Sequence, residues 1–101
     1  MRENIIQAED GERVERLVER AFKQLRNLGA RQGAIVFAAA PNNEVVDLLA
    51  KQIERTPELQ TLGLVYPSPI LGFLVSSLAL RAPKCRVRSF RELDEAMREI
   101  A

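Results

Sequence analysis

Residues 61–80, TLGLVYPSPILGFLVSSLAL, decide the fold of this chain. Leu62, Leu64 and Val65 make the short apolar run of a strand covered on both faces. Pro67, Ser68 and Pro69 end it. Ser68 then offers a hydroxyl to cap a new helix, with Pro69 at the first helical position, where its missing N–H costs little. The predicted helix carries Ile70, Leu71, Phe73, Leu74, Val75, Leu78, Ala79 and Leu80, interrupted only by Gly72, Ser76 and Ser77. A buried strand leading directly into an apolar helix is the unit of an α/β layer structure.

The segments upstream repeat that unit. Ile5 and Ile6 suggest a short edge strand over Asn4–Gln7. From Asp10 to Leu28, Val14, Leu17, Val18, Ala21, Phe22, Leu25 and Leu28 recur at three- and four-residue steps, which is one apolar stripe of a helix. Its other face is charged, with Glu12–Arg16 and Glu19–Lys23 at the favourable i,i+4 spacing, and Gly29 is a natural stop. Gly33–Ala40, GAIVFAAA, reads as a central strand. Pro41-Asn42-Asn43 turns the chain, either Asn can cap a helix running to about Arg55, and Thr56-Pro57 ends it.

Downstream, Cys85–Ser89 alternates, with Cys85 and Val87 on one face and Arg86 and Arg88 on the other, as at a charged sheet edge. Ser89-Phe90-Arg91-Glu92 has the spacing of a capping box for a final helix whose buried side is Phe90, Leu93, Ala96, Met97 and Ile100. The expected architecture is a four-stranded, mostly parallel sheet packed by four helices, in one domain over residues 1–101, with right-handed crossovers.

Composition narrows the chemistry. The 101 residues are 47% hydrophobic and 29% charged, with a formal charge of +1, no His and one Cys. Interspersed charges give no nucleic-acid footprint. A lone cysteine forms no internal disulfide, which suits a reducing compartment, and there is neither a signal-peptide pattern nor an apolar run long enough to span a membrane. A cytoplasmic protein is expected. Metal clusters and His-dependent catalysis lack their residues, and no Gly-rich phosphate loop joins a strand to a helix. The expectation is a non-enzyme without cofactor or metal. Cys85, between Lys84 and Arg86, is read as core filler, with a reactive thiol as the alternative.

The order of elements, together with LGLVYPSPILGF and RVRSFRELDEAM between Thr61 and Ile100, resembles anti-sigma-factor-antagonist (STAS) domains, with a short or missing N-terminal strand. The resemblance implies a regulatory or assembly module acting on a protein partner such as a kinase or an anti-sigma-type regulator. It places the regulatory contact at Asn42, Asn43 and Glu44. Phospho-regulated members carry Ser or Thr there, so the Asn pair argues against phosphorylation at that point.

Pro67, Ser68, Phe73 and Leu74 are the further partner-binding candidates, and Ser68 at a helix start is the phosphorylation candidate. The helix 70–80 is apolar around most of its circumference, which points to a second buried side and hence to a homo-oligomer or partner face. Burial beneath the first or last helix is the competing reading. The alternative function is a sensor of a small anionic metabolite or lipid, bound at the sheet edge beside the helix starts.

Overall fold

The structure, a computed structural model, describes residues 2–100. Its elements run β1 (Ile5–Gln7), α1 (Val14–Leu28), β2 (Gln32–Val36), α2 (Glu44–Glu54), β3 (Thr61–Val65), α3 (Leu71–Arg81), β4 (Arg86–Phe90) and α4 (Leu93–Glu99). The four strands form one sheet in the order β1-β2-β3-β4, and every pairing is parallel. This is the expected α/β architecture of four strands and four helices.

Sequential parallel strands joined by crossovers of one hand must place the connecting helices on one face. Accordingly α1, α2 and α3 cover one side, where Ile6, Ile35, Leu62 and Leu64 meet Leu17, Phe22, Leu49, Leu71, Leu74 and Leu78. Because side chains alternate along a strand, Ile5, Ala34, Val65 and Phe90 point the other way. They form a second, smaller core with Ala96 and Ile100 of α4. The helix that follows β4 packs beneath the sheet and closes its open side.

Small residues permit that closure. In register, Ile5, Ala34, Gly63 and Arg88 lie side by side across the sheet. A Cβ on Gly63 would stand 2.9 Å from the Phe90 ring, so only glycine leaves room for that ring. Arg88 reaches over the Phe90 ring, 5.2 Å from its centroid, and donates to Glu99 of α4 at 3.0 Å. Arg2 donates to the Met97 and Ile100 carbonyls at 2.7 and 2.6 Å, supplying partners for the last turn of α4. The helical layer is tied together by Arg26, which donates from α1 to the buried Gln52 of α2 at 2.8 Å.

Four local expectations change. The second strand stops at Val36, and Ala38–Ala40 are exposed loop. Its neighbours run out there: the ladder closes with Phe37 N–H donating to Val65, and Pro67 has no N–H with which to extend β3. The first helix begins at Val14 rather than Asp10, because Gly11, at φ +72°, turns the chain beforehand. The capping box before α4 does not form. Ser89 is spent in β4 opposite Leu64, and Glu92 is the extended residue preceding the helix, without a side-chain cap. Phe90 likewise ends a strand instead of starting the helix.

The fourth concerns α3. Leu74 is 1% exposed, inside the helical-face core, whereas its neighbour Phe73 is 76% exposed. Leu74 therefore leaves the partner-binding set, and Leu74→Glu would place a charge in the core instead of testing a surface. Leu74→Ala is expected to cost roughly 2–4 kcal/mol, while Phe73→Ala should fall within about 0.5 kcal/mol of the parent. Urea unfolding midpoints of the two variants measure both.

Candidate functional site at the C-terminal edge of the sheet

In a parallel sheet every strand points its carboxyl end the same way, so the loops that follow gather at one edge. Here those loops are 8–13 after β1, 37–43 after β2, 66–70 after β3 and 91–92 after β4. Asn42, Asn43 and Ser68 consequently share this edge, as the strand order requires.

Asn42 acts on the backbone just ahead of α2. Its Oδ1 accepts from the Glu44 N–H at 3.0 Å, and the carbonyls of Asn42 and Asn43 accept from Val45 and Val46 at 3.1 Å. Asn43, immediately before the helix, has helical dihedrals and makes no side-chain cap. Glu44 opens the helix and is exposed, a favourable place for a carboxylate beside the helix dipole. Asn42 is thus the capping residue of the pair, and all three side chains lie on the surface.

Ser68 performs the matching service for α3. Its Oγ accepts from the Ile70 N–H at 3.3 Å, and Pro69 and Ile70 form a turn before the helix proper starts at Leu71. Pro67 is exposed and Ser68 is half-buried. Phe73 follows one turn later on the outer side of α3. The structure therefore brings Pro67, Ser68 and Phe73 onto neighbouring surface, and holds Asn42, Asn43 and Glu44 on the adjacent loop and helix start.

Sequence reasoning missed the third component of this edge. Arg20, on α1, grips the 8–13 loop: both Glu12 carboxylate oxygens accept from its guanidinium at 2.8 Å, Glu9 lies 3.4 Å away, and the Gln7 carbonyl accepts at 2.7 Å. The i,i+4 reading assigned Glu12 to Arg16, which presupposed that Glu12 was already helical. Because the helix starts at Val14, Glu12 instead folds back and also accepts from the Glu9 N–H at 3.1 Å. The hydrogen bonds from Arg20 hold the Glu12 carboxyl at about 2, against partial desolvation that acts the other way. The available signal was Gly11 among the acidic residues Glu9, Asp10 and Glu12, which marks a turn.

The thiol reading of Cys85 is not favoured. The side chain is buried beside Ala82 and Leu78, and burial pushes its pKa up to about 11, so the inert thiol form prevails. Among the described residues no cluster of His, Cys, Asp and Glu could hold a metal ion, and no helix is long and apolar enough to cross a membrane.

What this edge presents is satisfied backbone, polar caps and an apolar surface at Phe73. On the outer face of α3, Ile70 is 39%, Phe73 76% and Leu80 86% exposed. At 100° per residue, Ile70, Phe73, Ser77 and Leu80 fall within about 80° of one another, and the buried Leu71, Leu74 and Leu78 form a separate stripe about 60° wide. No protein-family model, curated protein or solved structure matches the chain.

Two measurements check these assignments. The folded-state pKa of Glu12 lies below the ordinary 4.5, so its stabilisation is complete above that pH and fades as pH falls toward 2. Glu12→Gln should therefore lower stability by roughly 1 kcal/mol near neutrality, and the parent and variant melting temperatures should converge in acid. For Cys85, thiol titration should show reaction in denaturant and at least about a hundredfold slower reaction in the native protein.

Proposed function

We propose that this chain is a non-enzymatic regulatory or assembly module that works through protein–protein contacts, in the manner that the resemblance to STAS domains implies. The observation that carries the reading is the exposure of Phe73 and Leu80 on one face of a helix whose opposite side already fills the core. Exposed apolar side chains gathered on one face of a helix, rather than scattered singly, are the kind of patch that marks a contact surface. Pro67 and Ser68 lead into that face, and the helix start at Asn42–Glu44 shares the same edge of the sheet.

In this reading Ser68 is the place where a signal enters. A phosphate on its Oγ would lie ahead of α3, near the positive end of the helix dipole, and would change the charge of a face whose residues 67–80 carry no ionisable side chain. The partner class is a protein, a kinase or an anti-sigma-type regulator in the cytoplasm of a bacterium.

A second reading, a sensor of a small anionic metabolite or lipid, draws support from a different place than the helix starts. A cleft of about 490 Å³ lies between the C-terminal ends of α2 and α3, at the opposite edge of the sheet. Ile53, Leu59 and Ala82 contribute apolar lining, Lys84 and the Asp47-paired Arg81 bring positive charge, and Glu54 brings a negative one. A ligand held there would raise the melting temperature in proportion to the logarithm of its concentration.

The deciding experiment is affinity capture from the native cell lysate with the tagged chain as bait, run beside Phe73→Glu and Ser68→Asp baits. The parent is expected to recover a specific protein, Phe73→Glu to reduce that recovery at least about tenfold, and Ser68→Asp to alter it. Equal recovery by parent and Phe73→Glu would contradict the proposed face. Equal recovery by Ser68→Asp would remove Ser68 from it.

A further inference from the structure

The two edges of the sheet are finished differently, and the difference assigns a partner to one of them. We infer that β4 takes up an extended acidic segment of another protein as a fifth strand. This contact lies on the sheet edge and does not depend on the outer face of α3.

Backbone groups alternate in direction along a paired strand. The Arg86 N–H donates to the Gln60 carbonyl, and the Phe90 carbonyl accepts from Tyr66. Arg86, Arg88 and Phe90 therefore turn their backbone toward β3, and Val87 and Ser89 turn theirs outward. Among the described residues nothing hydrogen-bonds to the outward N–H and carbonyl groups of these two.

The opposite edge is better closed. In β1 the same alternation turns Ile5 and Gln7 outward. There the Ile5 N–H donates to the Arg2 carbonyl at 3.1 Å, and the Gln7 carbonyl accepts from Arg20 at 2.7 Å. An edge is commonly guarded by a short strand, a proline or a bulge. β1 is three residues long, whereas β4 has five, like β2 and β3. β4 also contains no proline, and its register with β3 runs unbroken from Arg86 to Phe90.

Charge decides which strand fits. Between Glu58 and Glu92 there is no acidic residue, while Arg81, Lys84, Arg86, Arg88 and Arg91 are positive. Arg81 is paired with Asp47 and Arg88 with Glu99. Beneath the edge, Glu95 and Glu99 share a shallow hollow with Arg88 and Arg98, so that side is neutral. Exposed Arg86 forms no ion pair among the described residues, nor do Lys84 and Arg91 on either side of it.

The faces of β4 set the pattern of the partner. Arg86 and Arg88 stand on the α4 side, and Val87 is half-buried against the larger core on the other. An added strand lies about 4.8 Å away. It would set carboxylates beside the two arginines and an apolar, β-branched residue beside Val87. Opposite charges on neighbouring strands stabilise and like charges destabilise. A second copy of β4 is opposed by that rule, because it would set arginines beside arginines.

The test uses the full ¹⁵N-labelled chain and the capped heptapeptide Thr-Glu-Val-Glu-Val-Glu-Thr, beside its counterpart with Lys for Glu. At millimolar concentration the acidic peptide should shift the amides of residues 85–91, and the lysine peptide should not. Hydrogen exchange at Val87 and Ser89 should slow at least about tenfold at saturation. Arg86, Arg88 and Phe90, already bonded to β3, should change little, and that alternation is the mark of strand addition. Arg86→Glu should weaken binding at least about tenfold with the parent's melting temperature, since its side chain is exposed. Ser89→Pro removes one outward N–H and spares the ladder to β3, so it should weaken binding similarly. If that variant fails to fold, Arg86→Glu and the exchange pattern still decide.

No shift at 85–91 with the acidic peptide, an equal response to the lysine peptide, slowing spread evenly over residues 86–90, or parent-like binding by Arg86→Glu would each overturn the inference. Oligothymidylate that shifts the same amides as strongly, without slowing exchange at Val87 and Ser89, would overturn it in favour of a nucleic-acid contact.

Discussion

A parallel sheet must be covered on both faces, and in this chain the connections supply cover for only one. Each βα unit returns to the start of the next strand by a crossover of the same hand, so α1, α2 and α3 accumulate on one side. The opposite side is left to α4, seven residues long. The rest of the structure follows from that imbalance. Gly63 and Ala34 are small so that Phe90 and α4 can sit close beneath β2 and β3, and Arg2 reaches across to hold the end of the helix. Arg88, on the edge strand, ties β4 to α4 through Glu99. The three-helix layer has the larger core, and its outermost helix, α3, spends only Leu71, Leu74 and Leu78 in it.

That leaves α3 with more apolar surface than its fold uses. Burial of Leu71, Leu74 and Leu78 is sufficient to dock an amphipathic helix on a sheet, and nothing within one copy requires Phe73 and Leu80 to be apolar. Their exposure is a cost in solubility without a structural return, which is the reason to look for a contact there rather than at the polar, hydrogen-bonded helix starts. The capping groups Asn42 and Ser68 are already occupied by Glu44 and Ile70 N–H groups. The function proposed here therefore rests on the helix face, with the loop edge as its border.

Much of this was legible in the residues. Continuous apolar runs at 33–37 and 62–65 and the heptad-like stripe from Val14 to Leu25 fixed a parallel α/β layer, because those periods admit few other arrangements. Boundaries were less accessible where a long-range partner decides them. The alanines at 38–40 look like strand until the neighbouring strands end, and Ser89 looks like a cap until the β3–β4 ladder claims it. Glu12 looks like a helical i,i+4 partner until Gly11 turns the chain and delivers it to Arg20. At the site, Asn42, Ser68 and Phe73 emerged in the places their spacing suggested. Leu74 did not, because a helix that is apolar all round gives no sign of which of two adjacent large residues faces the sheet.

The account stands or falls on whether the outer face of α3 is a contact surface. Backbone amide spectra of the ¹⁵N-labelled chain, recorded in buffer and again in its native cell lysate, test this most directly, since they report position by position without any substitution. The account predicts lysate-dependent broadening or shifts concentrated at residues 70–80, with the amides of α4 and β1 least affected. Spectra that superimpose in buffer and lysate, or changes confined to α4 or the 8–13 loop, would contradict it.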